Sequence, residues 1–331
     1  MFLHNVAVQE RAISADGIET FDLAVNPLSV ILIGLRPLND TGTLAAFQSY
    51  KGIAAALNRV SVLYRGEAIK SVRGEDLAAL NYFRHGIMPF QGQHDDTDNE
   101  RRCAVVPILM GRWPYDNKSC FPATRRGELV LECDFDIADT GYDGLRFSVE
   151  TIELLDAKPK EYEKWVQVTQ TNGATGDADM DLVATGNAVR GILLFGTTPF
   201  AGASPAPSWG RIKVLLDNQE AGFGSTDFEM SQALTSLWGR QPPAYDGHMH
   251  RVDATAAVAT QPTLSGPFNV GAGIAGATDI TGWNQYTYLD YDPTGDDSHV
   301  LHTKGKSSLK LRANFEAADA VRAIPIEVIQ L

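Results

Sequence analysis

Residues 127–154 and residues 307–331 are two copies of one pattern, and this repeat constrains the chain more than any other feature. The first stretch reads GELVLECDFDIADTGYDGLRFSVETIEL and the second SSLKLRANFEAADAVRAIPIEVIQL. Leu129, Leu131, Phe135, Ala138 and Asp139 match Leu309, Leu311, Phe315, Ala318 and Asp319 at one constant offset. After a three-residue gap, Phe147, Val149, Glu150, Ile152 and Leu154 align with Ile324, Ile326, Glu327, Ile329 and Leu331. Earlier blocks repeat as well. Asp22-Leu23 matches Asp181-Leu182, Ile31-Leu32-Ile33-Gly34 matches Leu193-Leu194-Phe195-Gly196, and Val62-Leu63-Tyr64 matches Val214-Leu215-Leu216. Blocks recurring in one order mark a duplicated unit. The spacing predicts one domain over residues 1–157 and a second over 158–331, with Ala157-Lys158-Pro159-Lys160 as the linker.

The repeated blocks alternate. Leu129, Leu131, Cys133 and Phe135 are apolar at every second position, the period of a strand with one buried face. The stretches between are rich in the turn formers Gly, Pro, Asn and Asp, and the chain has 30 Gly and 16 Pro. Helical periodicity is confined to three places. Residues 43–57 space Leu44, Phe47, Tyr50, Ile53 and Leu57 three or four apart, and residues 75–84 do the same with Leu77, Leu80 and Phe83. In the second half Thr226 and Glu229 have capping-box spacing before Met230, Leu234, Leu237 and Trp238, which share one helix face. A parallel α/β fold needs a helix between most strands. The expectation is therefore an all-β chain of two tandem antiparallel sandwiches, each with a short helical insertion.

Charge narrows the function classes. The formal net charge is −13, divided almost evenly: 15 Lys+Arg against 22 Asp+Glu in residues 1–157, and 13 against 19 in the rest. Direct binding to a phosphate backbone needs clustered cations, and the chain has no basic tail or stripe, so nucleic acid is not an expected partner. Cys103, Cys120 and Cys133 are odd in number and lack CxxC spacing, which reads as free thiols in a reducing compartment. The first residues, Met1-Phe2-Leu3-His4-Asn5, have neither a basic nor an apolar export region. Apolar runs such as Val30-Ile31-Leu32-Ile33 are strand-sized, far short of the roughly 20 residues a membrane helix takes. These readings predict a soluble chain made in the cytoplasm.

No motif supplies a catalytic, cofactor or metal site. Gly271-Ala272-Gly273-Ile274-Ala275-Gly276 matches GxGxxG, but the residues from Thr278 to Tyr288 that follow are β-prone, whereas a dinucleotide site needs a helix there. His248-Met249-His250 offers two imidazoles without a third ligand. The acidic loops 94–100 and 290–297 could supply oxygen ligands to Ca²⁺, although neither has EF-hand spacing. Asp177, Asp179 and Asp181 alternate along one strand face, which a solvated sheet surface accounts for better than a glycosidase carboxylate pair does. Trp209, Trp238 and Trp283 read as core residues rather than a sugar platform. Neither GxSxG, a P-loop nor HExxH occurs.

The arrangement resembles the double jelly-roll major capsid proteins of tailless icosahedral phages with an internal membrane, the corticoviruses and tectiviruses. The carriers are Phe21-Asp22-Leu23, Val30-Ile31-Leu32-Ile33-Gly34, the strand-plus-helix unit from Val60 to Arg84, and the closing strands Leu129–Phe135 and Leu145–Leu154, all echoed in the second half. The resemblance implies a structural viral coat protein rather than an enzyme. Three chains would form a homotrimer of near-hexagonal outline that tiles an icosahedral virion shell. Its implied partners are neighbouring capsomers and minor capsid or vertex proteins, with an internal membrane reached only indirectly. Residues 1–16 hold only Arg11 as a cation, unlike a lipid-binding basic helix. The alternative is a carbohydrate-active or glycan-binding protein on paired jelly rolls, because fold does not dictate function.

Overall fold

The computed structural model describes residues 1–39, 50–86, 90–91, 101, 103–137, 142–197, 208–237 and 285–331. The first half runs β1 (Phe2–Ile13), β2 (Gly17–Asp22), β3 (Leu28–Asn39), α1 (Tyr50–Ala55), β4 (Leu57–Tyr64), β5 (Glu67–Val72), α2 (Gly74–His85), β6 (Phe90–Gln91), β7 (Ala104–Leu109), β8 (Leu129–Phe135) and β9 (Tyr142–Leu154). The second runs β10 (Glu161–Val166), β11 (Val168–Thr171), β12 (Gly176–Leu182), β13 (Ala188–Gly196), β14 (Trp209–Leu216), β15 (Gln219–Glu220), β16 (Thr226–Asp227), α3 (Phe228–Leu237), β17 (Tyr286–Asp290), β18 (Leu301–His302), β19 (Leu309–Phe315) and β20 (Ala320–Gln330).

The pairing order repeats. One first-half sheet is β1-β9-β3-β7-β6, and its counterpart in the second half is β10-β20-β13-β17. The other first-half layer is β2-β8-β4-β5, and its counterpart is β12-β19-β14-β15. Each half thus sends alternate strands to two facing antiparallel sheets, which is a jelly roll. A parallel contact between β10 and β5, Trp165 beside Lys70 and Val166 beside Ser71, joins one layer of each half into a single ten-stranded sheet.

The duplication extends to individual ladder rows. Phe21, Leu131 and Val62 stand side by side on β2, β8 and β4, and Met180, Leu311 and Val214 stand side by side on β12, β19 and β14. Leu131 and Leu311 are both completely buried. The hairpins β4–β5 and β14–β15 each close through two residues of positive φ, Arg65-Gly66 (51° and 83°) and Asp217-Asn218 (51° and 64°). Such type I′ turns match the right-handed twist of the strands they join.

Two sequence matches need a corrected register. Leu194 and Ala323 pair across β13–β20 and face the second core, whereas Leu193, Phe195, Ile324 and Ile326 face the cluster that holds the first-half core. In the first half, Leu35 and Phe147 pair across β3–β9 and face their own core. Carrying the offset of the Asp22–Asp181 match along the chain makes Leu35 the counterpart of Leu194, and Arg36 and Arg146 the counterparts of Phe195 and Arg322. The match of Ile31 with Leu193 slips by three residues and that of Phe147 with Ile324 by one. The cause is visible in β13, where Val189 to Gly196 are all buried. A strand apolar on both faces carries no alternation to set its phase.

The helices depart from expectation on their faces more than on their positions. Of the helix expected over 43–57, residues 43–49 lie outside the described residues, and α1 covers Tyr50–Ala55. The second expected helix is α2, ended by Gly86 in the left-handed conformation (φ 64°), whose N–H bonds to Tyr82 O. A side chain at Gly74 would meet Ala54 O at 2.2 Å, so glycine is what lets α2 start against α1. Asp76, Asn81 and Arg84 are buried along with the apolar stripe. In the second half Thr226 lies in β16 and its hydroxyl donates weakly to Asp227 O (3.4 Å) instead of capping α3. The side of α3 against β17 is polar. Ser231 and Thr287 hydroxyls lie 2.6 Å apart, and Thr235 Oγ1 donates to Tyr288 O at 3.0 Å. Met230 and Leu234, expected on one helix face, are 59% and 43% exposed.

Candidate functional site

The chemistry of the molecule gathers at the seam between the halves. Glu163 on β10 is fully buried and receives both ends of the Arg84 guanidinium from α2, each at 2.7 Å. Trp165 Nε1 donates to the same carboxylate at 3.1 Å, and Arg190 of β13 donates to it at 3.0 Å. Arg190 goes on to Glu161 at 2.6 Å and to both oxygens of Asp297 at 2.8 and 2.9 Å. Arg112, from the first half, bonds Asp297 at 2.7 Å and pairs with Asp292. A second cluster reverses the polarity. Arg322 of β20 stacks 3.5 Å over the Phe195 ring and bonds Glu75 (2.7 Å) and Asp76 (2.6 and 2.8 Å) in the first turn of α2. Tyr286 Oη donates to Asp76 at 2.8 Å. Cations of the first half thus meet anions of the second at one place, and the reverse holds at the other. Such reciprocal pairing fixes one orientation of two surfaces and penalises others.

Burial and charge compete here. Burial alone would raise the pKa of Glu163, but Arg84, Lys70 and Arg190 hold it well below the usual carboxylate value. Burial raises Tyr286, and the carboxylates of Asp76 and Glu75 push it further in the same direction. Lys70 is the weak point of the seam. Its Nζ sits 3.3 Å from the Trp165 ring centroid, is buried and finds no hydrogen-bond acceptor among the described residues. Burial, reinforced by Arg84 and Arg190, depresses its pKa well below 10.5 against the pull of Glu163. A buried donor left unsatisfied costs about 1–3 kcal/mol. Lys70→Met should therefore stabilise the protein by that order at neutral pH in urea titrations. Because the folded pKa is lowered, the native chain regains stability as pH rises toward the ordinary lysine value, so the advantage of the variant should shrink there. An unchanged or lower urea midpoint would show that the Trp165 contact outweighs the unsatisfied ammonium.

The sequence candidates fare unevenly. Asp292 and Asp297 of the acidic loop 290–297 are engaged by Arg112 and Arg190, and no group of three or more metal-ligating side chains converges among the described residues. Asp177, Asp179 and Asp181 lie on the solvated face of β12, opposite Asn314, Arg312 and Lys310 of β19, as the strand reading expects. Trp209 is buried against Phe315, with ring centroids 5.0 Å apart. All three cysteines are free, and burial raises the Cys120 thiol to about 12. Loop 94–100, His248, His250, Trp238, Trp283 and residues 271–276 lie outside the described residues. Sequence reasoning passed over the seam itself. Its trace was single charges set in apolar strands, Arg190 in AVRGILLFG and Arg322 and Glu327 in AVRAIPIEVIQ.

Two jelly rolls in tandem, sharing a sheet and locked by buried ion pairs, define a double jelly-roll protein. Solved structures of this class superpose over the whole chain. The crystal structure of the major capsid protein of bacteriophage PM2 is similar at a TM-score of 0.63 and 10% identity, covering 100% of this chain and 98% of that one. The STIV major capsid protein gives 0.67 at 11% identity, covering 100% and 97%, and the quasi-atomic PBCV-1 virus capsid gives 0.57 at 10%, covering 99% and 94%. No protein-family model matches the sequence, and no curated protein matches it significantly.

Proposed function

We propose that the chain is a major capsid protein whose homotrimers, of near-hexagonal outline, tile an icosahedral viral shell. The observation that carries this reading is the end-to-end match with capsid proteins of three viruses, at nearly full length of both partners. Fold alone does not fix function. Support comes also from the internal duplication, because two similar sandwiches per chain let three chains present six similar faces. In this reading residues 1–157 and 158–331 are the two sandwiches, the role is structural rather than enzymatic, and the protein resides in the virion after synthesis in the host cytoplasm. Neighbouring trimers and minor capsid or vertex proteins are its partners, with a viral membrane contacted only through them. No helix among the described residues is long and apolar enough to cross a membrane.

Light scattering on the purified chain tests this. The expected mass is three chains, and a trimer lost on adding a calcium chelator would make the acidic loops 94–100 and 290–297 metal sites. A monomer at every concentration would sink the shell reading and turn the search to glycan binding and hydrolysis.

A further inference from the structure

Asn172-Gly173 is the one Asn-Gly pair in the chain. In such a pair the backbone nitrogen of the glycine can attack the side-chain amide carbon of the asparagine, because no Cβ crowds the approach. The pair lies just past Thr171, the last residue of β11, in a stretch that is neither strand nor helix. Gly173 is exposed, and a Cβ added to it would meet nothing within 4 Å. Its N–H has no hydrogen-bond acceptor among the described residues, so the nucleophile has no bond to break before it attacks.

The amide under attack is prepared at both of its atoms. Asn172 Oδ1 accepts a hydrogen bond from Gln170 Nε2 at 2.8 Å, which draws electrons from the amide carbon. Asn172 Nδ2, the leaving nitrogen, is buried and has no acceptor among the described residues. A buried donor left so is destabilising, and expelling it removes the penalty. Two other residues show the contrast. Asn187 donates its Nδ2 to Glu327 at 2.9 Å and is followed by alanine. Asp16 also precedes a glycine, but its Oδ1 accepts from Ile137 N at 2.7 Å, and Gly17 is paired with Phe135 across β2 and β8.

We propose that Asn172 is a self-modifying site, at which the folded chain converts its own asparagine to isoaspartate and aspartate with time. Gly173 N gives its proton to base and bonds to Asn172 Cγ. The Cγ–Nδ2 bond breaks, the departing nitrogen takes up a proton and leaves as ammonia, and a cyclic imide remains. Water then adds to one of the two imide carbonyls and opens the ring. One opening gives aspartate. The other routes the main chain through the side chain as isoaspartate, one methylene longer. Either product sets a carboxylate where a buried neutral amide stood. Asn172 N–H donates to Asp319 O at 3.0 Å, and the Asp319 carboxylate takes the Ser208 hydroxyl at 2.7 Å. The next rungs of the ladder are Thr171–Ala320, Gln170–Val321 and Thr169–Arg322, and Arg322 is the seam cation on Asp76. The change therefore loosens β11 from β20 in the direction of the seam. It depends on neither trimer nor shell.

The test is timed incubation of the full chain in warm, weakly alkaline buffer, with circular dichroism to verify that it stays folded, followed by tryptic digestion and mass spectrometry. The tryptic peptide 165–190 carries both Asn172 and Asn187. Fragment ions should place an amide-to-acid mass change on Asn172 at least about tenfold faster than on Asn187, and isoaspartyl methyltransferase should label the product. Gly173→Ala, which the open space at that position admits, should slow the conversion at least about tenfold and leave the melt unchanged. The converted chain and Asn172→Asp should both melt below the native protein. Conversion of Asn172 no faster than that of Asn187, or equally fast in the alanine variant, overturns the self-modification. Full conversion with an unchanged melt overturns the loosening of β11.

Discussion

Leu131→Asp and Leu311→Asp should each abolish soluble folding. The two leucines occupy the same row of the two sandwiches and are flanked by Phe21 and Val62 in one and by Met180 and Val214 in the other. Each is completely buried among apolar side chains. A carboxylate there is set among apolar neighbours, so it must either stay charged in a medium of low dielectric or take up a proton and lose its solvation. Either course adds to the cavity left by the shorter side chain, and together they exceed about 4–5 kcal/mol, a large part of a domain's stability. Soluble yield and a thermal melt check it. Normal yield of either variant would refute the ladder pairing on which the duplication rests. Equal loss at both positions is itself informative, because it would show that neither sandwich folds without the other.

Glu163→Gln should cost about 3–5 kcal/mol, the usual penalty for breaking one side of a buried ion pair. The amide leaves Arg84 buried without the carboxylate it pairs with among the described residues, while Arg190 keeps Glu161 and Asp297. The loss falls on the seam, because Arg84 belongs to α2 of the first half and Glu163 to β10 of the second. Acid sensitivity supplies a second readout. The folded pKa of Glu163 is lowered, so its contribution is full above the ordinary carboxylate value of 4.5 and is lost as pH falls below it toward the folded value. The native protein should therefore lose stability below about pH 4.5 along a steeper limb than the glutamine variant. Parallel acid limbs in urea titrations at several pH values would contradict the assignment of Glu163 as the central anion of the seam.

Legibility in the sequence followed solvent. Strand β8 reads Leu129, Leu131, Cys133 and Phe135 inward with Val130, Glu132 and Asp134 half-exposed, and its alternation gave both its existence and its facing. Strand β12 did the same through Asp177, Asp179 and Asp181. Strands β13 and β20 were found by similarity but placed in the wrong phase, because the first half covers the outer face of their sheet and makes both sides apolar. The seam charges left only isolated letters. Arg84 sits ordinarily near the end of a helix in sequence, and nothing local tells that Glu163 lies at 2.7 Å from it. Helix α3 misled for a related reason. Its apolar stripe is real, but its own sheet takes the hydroxyls of Ser231 and Thr235 instead.

By itself the sequence determined the duplication, the all-β class and the inward residues of strands such as β8 that have water on one side. These are local or periodic properties, written wherever one face differs from the other. Tertiary structure alone decided how the two copies meet: the shared ten-stranded sheet and the reciprocal ion pairs of Arg84 with Glu163 and Arg322 with Asp76. Those features depend on groups far apart in the chain losing water together, and a charge that loses its water is stable only where its partner is brought to it.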